Sequence, residues 1–279
     1  MSEVDAIARS KRPASDASLA ADLTALGLRP GDIVLVHTAL SALGWVCGGA
    51  VTVIEALLAV LGQQGTLVMP AHSGGLSEPA NWQNPPVPPE WWSAIRATMP
   101  PFDIHSTPTR GIGVTAELFR TWPGALRSDH PTSSMAAVGP HAAELLREHP
   151  LDDPLGEASP LGRLYEAGAK VLLLGAGHDS NTSLHLSERG AFGDRQELAS
   201  TGSPVVRDGE RRWVAYTEPL ALTDDFEALG AAFESASDQV TVVRVGAGIG
   251  RLMDQRALVD FGTEWLTRHR HFTGRPTQG

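Results

Sequence analysis

Short apolar runs alternate with amphipathic stretches along most of the chain, and glycine and proline punctuate them. Residues 16–28 read as an amphipathic helix closed by Gly27, Pro30 and Gly31, and the β-branched run 33–37 follows as a buried strand. A glycine-containing loop spans 38–49, a helix covers 51–61, and a second strand at 66–69 comes after Gly65. A strand, loop, helix and strand in that order predict parallel pairing through a right-handed crossover.

Between residues 72 and 108 the pattern breaks: Pro85, Pro86, Pro88, Pro89, Pro100 and Pro101 interleave with Trp82, Trp91 and Trp92. A segment this long without periodicity reads as a lid or cleft wall, and its tryptophans argue against disorder. Helices are expected over 113–121, 142–149 and 161–167, with short extended pieces at 128–130 and 135–138. The plainest buried strand is 171–174, leading through Gly175-Ala176-Gly177 and a polar loop into a helix that begins near Thr182. Asp208-Gly209 between 203–206 and 212–216 is a hairpin signal. A helix over 225–236, a strand over 240–245 and a helix over 255–268 complete the chain. Gly246-Ala247-Gly248-Ile249-Gly250 lies too late, with the wrong glycine spacing, for a dinucleotide loop, and reads as a turn. The expectation is one α/β domain over 1–279: a central, mostly parallel sheet flanked by helices, with an additional antiparallel hairpin element.

Composition narrows the function classes. With 42% hydrophobic and 19% charged residues the 279-residue chain is globular in type. No apolar run approaches the roughly 18 residues of a membrane span and no leader is evident, so a soluble, cytoplasmic protein is expected. The lone Cys47 excludes an internal disulfide or a cysteine metal cluster; no histidine or helix start is readable beside it, which favours a buried apolar role over a nucleophilic one. Acidic residues outnumber basic ones, 32 to 22, for a net charge of −10. Such a surface repels nucleic acid and attracts polycations. Lysine occurs only at Lys11 and Lys170, there is no P-loop, and no G-x-S-x-G elbow supplies a serine nucleophile.

Chemistry concentrates after the strand 171–174, because loops at the carboxyl edge of an α/β sheet build its sites. His185 and Glu188 lie three apart in the following helix, so the carboxylate reaches one imidazole nitrogen and leaves the other as an oriented base. Such pairs are commonly just solvated neighbours; position favours function here. His178, His185 and Glu188 together also offer donors for zinc, although their spacing matches no common zinc pattern. The loop 37–49 can turn backbone N–H groups and a helix start toward a phosphate, or be an ordinary turn.

Several segments, in order, resemble the aminoglycoside 3-N-acetyltransferase family: Leu35-Val36-His37-Thr38-Ala39-Leu40, Gly65-Thr66-Leu67-Val68-Met69-Pro70, Arg127-Ser128-Asp129-His130-Pro131, Ser159-Pro160-Leu161, Leu172-Leu173-Leu174-Gly175, Asn181-Thr182-Ser183-Leu184-His185-Leu186-Ser187-Glu188 and Asp260-Phe261-Gly262-Thr263-Glu264-Trp265-Leu266. The resemblance covers most of the chain. It implies an α/β fold distinct from the GNAT acetyltransferases, and transfer of acetyl from acetyl-coenzyme A to the 3-amino group of a 2-deoxystreptamine antibiotic, giving resistance. His185 would be the general base and Glu188 its orienting partner, with the bound amine completing a triad.

The chemistry agrees, since an ammonium must lose its proton before attacking a thioester. The oxyanion then needs donors, such as backbone N–H groups or the Thr182 and Ser183 hydroxyls, and no covalent acyl-enzyme is required. By the same resemblance His37, Thr38, Ala39, Leu40 and Ser41, with Arg110, Gly111 and Gly113, would hold coenzyme A. Glu78, Asp153, Asp224 and Asp225 are candidates for the antibiotic's ammonium groups, each equally able to be a cap or surface charge. The partners expected are small molecules, with no nucleic acid, membrane or metal; a homodimer is compatible with the sequence. Two rivals stand beside this reading: a metal-assisted hydrolase using His178, His185 and Glu188, and an inactive binding protein of the same fold.

Overall fold

The structure, a computed structural model, describes residues 3–270. Among them run β1 (Ile33–Thr38), β2 (Thr66–Pro70), β3 (Leu126–Arg127), β4 (Met135–Val138), β5 (Lys170–Leu174), β6 (Leu198–Arg207), β7 (Glu210–Pro219), β8 (Val240–Val245) and β9 (Gly248–Asp254). Seven form one sheet in the order β3-β4-β2-β1-β5-β9-β8. Its centre is parallel as expected, β1 pairing with β2 on one side and β5 on the other, while β4 and β9 flank it antiparallel. The expected hairpin is a separate two-stranded sheet of β6 and β7, turning at Asp208 and Gly209 with φ of 54° and 78°.

Burial on both faces explains the apolar central strands. Val34 and Val36 of β1 face the helices Asp16–Leu26 and Ala50–Leu61 through Leu19, Leu23, Ile54 and Leu57. Leu35 faces the other way, toward Leu161 and Leu164 of helix Pro160–Glu166. Farther along that face, Val171 and Leu173 of β5 meet Leu184, Phe226 and Leu258 from the helices Leu184–Phe192, Phe226–Ala236 and Gln255–His269. No helix among the described residues is long and apolar enough to cross a membrane.

Some boundaries move for identifiable reasons. The first of these helices starts in a capping box between Ser15 and Ser18 and ends at Gly27, whose φ of 112° suits glycine. The helix expected over 142–149 stops at Leu146; Glu148, at φ 39°, and Pro150 cannot continue it. The extended piece expected at 128–130 pairs two residues earlier, at Leu126 and Arg127. A helix over Glu3–Arg9 was not expected. The reading of 246–250 as a turn is corrected. The turn is confined to Gly246 and Ala247, and Gly248 opens β9, which pairs with both β5 and β8. Its glycines mark close packing, since a Cβ on Gly248 would lie 2.7 Å from Ala42 O and one on Gly250 2.6 Å from Val245 Cγ2.

The sheet order creates the site. From β1 the chain passes to β2 on one side and later returns as β5 on the other, so a crevice opens at the carboxyl ends of β1 and β5. Helix Leu184–Phe192 is fastened there by its contact with Gln255–His269. Gly190 lies against Thr263, and Ser187 against Gly262, where an added Cβ would come 2.5 Å from Ser187 Oγ and 2.9 Å from its Cβ. Propensity alone favours Gly262→Ala by about 0.8–1 kcal/mol. Overpacking costs about 1–3 kcal/mol and should win, so urea unfolding is expected to show Gly262→Ala destabilised. A stabilised variant would disprove the close approach.

Candidate active site

Four segments meet at the crevice: the end of β1, the residues after β2, the stretch 111–116, and the loop after β5. They enclose a cleft of about 680 Å³ lined by His37, Thr38, Ala39, His72, Gly111, Gly113, Gly175, Thr182 and His185, among others. Gly175, with φ 67°, lets the β1 and β5 loops close, because a Cβ there would lie 2.6 Å from Ala42 Cβ. Asn181 Oδ1 accepts from Ser183 N at 3.2 Å and so shapes the start of the helix that carries His185.

On the first turn of that helix His185 Nδ1 lies 2.6 Å from Glu188 Oε2, and Glu188 is 1% exposed. A carboxylate only accepts, so Nδ1 carries a proton, and in the neutral ring Nε2 carries the lone pair. Glu188 Oε1 accepts from Leu222 N at 3.2 Å and from Arg270 Nη1. Phe226 backs the imidazole with ring centroids 4.9 Å apart.

Beyond His185 lies a second cavity of about 260 Å³, lined by Ser133, Asp153, Glu188, Arg189, Gln196 and Glu218 with apolar neighbours. His185 belongs to both linings. Burial pushes the Glu218 carboxyl up to about 7 and raises that of Asp153, with the Arg189 guanidinium, 3.5 Å away, acting in the opposite sense on Asp153. On the first side, burial lowers His37 to about 3 and His72 to about 4, and mutual repulsion among the cleft histidines adds to it. Both rings are neutral and weakly basic at pH 7, and neither holds a carboxylate as His185 does.

Most residues expected at a cofactor are brought together. His37, Thr38, Ala39, Gly111 and Gly113 line the larger cleft; Thr38, Ala39, Leu40, Ser41 and Gly113 line an adjoining cavity of about 420 Å³. That cavity reaches Gly49, where helix Ala50–Leu61 begins without a side-chain cap. Arg110 lines neither; it is exposed, and its backbone N–H donates to His72 O at 2.9 Å. Of the possible oxyanion donors, Thr182 reaches the cleft, whereas Ser183 Oγ is buried without a hydrogen-bond partner.

The acidic candidates scatter. Asp153 lines the second cavity. Glu78 is clasped by Arg96, with Nε to Oε2 at 3.0 Å, and hydrogen bonding to that guanidinium holds its carboxyl below the usual range. Asp225 is chelated by Arg270, and Asp224 is exposed and outside both linings. None of the three tryptophans of the 72–108 excursion lines these cavities. His178 is held away by Glu234, 2.8 Å from its Nε2, and no cluster of three His, Cys, Asp or Glu able to hold a metal occurs among the described residues. Cys47 is exposed, where a buried apolar role was expected. Sequence reasoning missed Glu218, His72 and Arg270. Glu218 sits at the end of β7 (Glu210–Pro219), where a single carboxylate next to a proline reads as an ordinary exposed strand end.

Comparison with known proteins adds an independent finding. The aminoglycoside 3-N-acetyltransferase sequence profile matches residues 35–267. The SPbeta prophage-derived aminoglycoside N(3')-acetyltransferase-like protein YokD of Bacillus subtilis is 46% identical, over 91% of this chain and 93% of its own. Aminoglycoside N(3)-acetyltransferase VIII of Streptomyces fradiae is 38% identical, over 95% and 96%. The crystal structure of YokD superposes with a TM-score of 0.92 at 43% identity, covering 95% of this chain and 98% of that one. AAC-IIIb in a binary complex with CoASH gives 0.81 at 35% identity, covering 95% and 100%; AAC-VIa bound to sisomicin gives 0.83 at 32%, covering 93% and 100%. With a profile match over residues 35–267 and a superposition on YokD that covers 95% of it, this chain belongs to the aminoglycoside 3-N-acetyltransferase family.

Proposed function

We propose that the protein transfers acetyl from acetyl-coenzyme A to the 3-amino group of a 2-deoxystreptamine aminoglycoside, with His185 as general base oriented by Glu188. The single observation that carries this reading is that His185 is shared by two cavities of different chemistry. One is built from glycine-rich loops at strand ends; the other has carboxylates from Asp153, Glu188 and Glu218. The names of the relatives support the activity, and the CoASH and sisomicin complexes of two of them support the pair of small-molecule substrates.

In the proposed reaction the thioester lies along Thr38, Ala39 and Gly113, with the rest of the cofactor running toward Leu40, Ser41 and the start of helix Ala50–Leu61. A helix N-terminus with free N–H groups favours phosphate. The aminoglycoside enters from the acidic side, where its ammonium groups exchange water for Asp153 and Glu218. His185 Nε2 takes a proton from the 3-ammonium, the nitrogen attacks the thioester carbon, and negative charge develops on its oxygen near Thr182. Collapse breaks the carbon–sulfur bond, and the proton held by His185 passes to the departing thiolate. The second proton on the acylated nitrogen is then lost to the freed Nε2 and on to water, leaving amide, free thiol and one released proton. Glu188 holds the imidazolium through its short bond to Nδ1.

Three measurements test this. Pure protein with acetyl-coenzyme A and a panel of 2-deoxystreptamine antibiotics is expected to release free thiol; no release with any amine would favour the inactive binding protein, and another activity appearing only with zinc would favour the hydrolase. His185→Ala is expected to lower kcat about 10²–10⁴-fold, with coenzyme A affinity by calorimetry unchanged. Retention of more than a tenth of turnover would rule out His185 as the base.

Glu218 is neutral below about pH 7 and anionic above it. Glu218→Gln is therefore expected to weaken aminoglycoside binding about ten-fold at pH 8, the scale of one charge-assisted hydrogen bond, and much less at pH 6. Because its folded-state pKa is raised, ionisation of Glu218 removes stability as pH climbs from the ordinary carboxylate range through about 7. The Gln variant should accordingly gain in thermal melts at pH 8 relative to pH 5. Unchanged affinity at pH 8 would exclude Glu218 from substrate binding, and equal effects at both pH values in the melts would exclude this titration.

A further inference from the structure

Glu188 is 1% exposed, and only donors surround its carboxylate: His185 Nδ1 at 2.6 Å, Leu222 N at 3.2 Å and Arg270 Nη1. That surrounding suits an ion without a proton. Arg270 in turn is held by Asp225, whose Oδ2 accepts from Nε at 2.8 Å and whose Oδ1 accepts from Nη2, and it also donates to Leu222 O at 3.2 Å. Its guanidinium carbon lies 6.0 Å from the centroid of Phe226, the ring that backs His185.

We propose that Arg270 is a positioning residue for the base, set in a relay Asp225–Arg270–Glu188–His185 that fixes the imidazole and balances its charge. The inference rests on the reading of His185 as the base. With His185 neutral the four groups carry one net negative charge, and with His185 protonated they carry none. A proton taken up by the ring therefore brings the four groups to neutrality instead of adding an uncompensated positive charge. Without Arg270, Glu188 and Asp225 would leave two uncompensated carboxylates behind the ring, and each favours the imidazolium in the resting enzyme. Burial works against the charge on Arg270, but its hydrogen bonds to Asp225 and Glu188 outweigh that and raise its pKa.

Other groups face His185. His37 at the end of β1 and His72 after β2 are coupled to it but neutral at pH 7. Asp179 shares the larger cleft; Asp153, Arg189 and Glu218 share the smaller cavity. None of these bonds to Glu188 as Arg270 does, so opposite changes at the two ends of the relay isolate its effect. Removing the cation should make the imidazole a stronger base, and removing the remote anion should make it a weaker one.

The test is NMR titration of the His185 imidazole in the full chain without substrates, its signal assigned by absence in His185→Ala. The acidic limb of kcat/KM for acetyl transfer is measured alongside. Arg270→Ala is expected to move both upward by about one pH unit or more, the usual effect of a neighbouring charge. It should lower kcat at pH 7 about ten-fold while leaving both KM values within about three-fold. Arg270→Lys, keeping the charge, should return the titration toward wild type. Asp225→Asn, a milder change that also serves if Arg270→Ala does not fold, should move both downward. Unmoved titrations in the folded variants, or movement in the same direction for Arg270→Ala and Asp225→Asn, would overturn the relay. Full turnover by His185→Ala would instead overturn the reading on which it rests, and the resting-state titration would still report on the relay.

Discussion

A carboxylate placed where water does not reach has to be met on every side, and Glu188 is such a group. Its buried oxygens collect an imidazole from its own helix, a backbone N–H from Leu222 and a guanidinium from Arg270. Breaking a buried ion pair by removing one partner costs about 3–5 kcal/mol, so these segments are bound to one arrangement. The helix Leu184–Phe192 can lie where it does because Gly190 and Gly262 let it approach Gln255–His269. The end of that second helix brings Arg270 back to the site. One acid thereby links the loop after β5, the connection after β7 and the far end of the described chain.

Around that link the protein sorts its charges. Burial leaves His37 and His72 uncharged at neutral pH, so the side facing the β1 loop contains no extra cation from its histidines. On the opposite side Asp153 and Glu218 carry raised carboxyl pKa values in a small cavity. A buried carboxylate with a raised pKa is stabilised as an anion by any cation brought beside it, and the chain as a whole has a net charge of −10. The two sides of His185 thus differ in character: glycine-rich loop ends with uncharged histidines on one, a cluster of carboxylates on the other.

Much of the architecture was legible in local pattern. The strands at 33–38, 66–70 and 170–174 are apolar because both sheet faces are covered, and the helices between them carry their apolar stripes toward the core. The pair His185 and Glu188 was readable too, since three residues along a helix is a local distance and the strand before it ends at the carboxyl edge. β9 was misread because its glycines answer to Ala42 and Val245, contacts that no local rule contains. The acidic candidates fared unevenly for the same reason: Glu78 finds Arg96 and Asp225 finds Arg270, while Glu218 acquires its shifted carboxyl from burial.

The amino-acid sequence by itself therefore determined the order of the central strands and their crossover helices, the parallel centre of the sheet, the excess of negative charge and the pairing of His185 with Glu188. These follow from periodicity, composition and spacing over a few residues. Only the tertiary structure decided that His185 stands between two cavities, that Arg270 closes behind Glu188 and that Glu218 titrates near neutral pH. Desolvation and pairing across the fold depend on which distant segments meet. That is settled by packing, and neither residue type nor spacing along the chain records it.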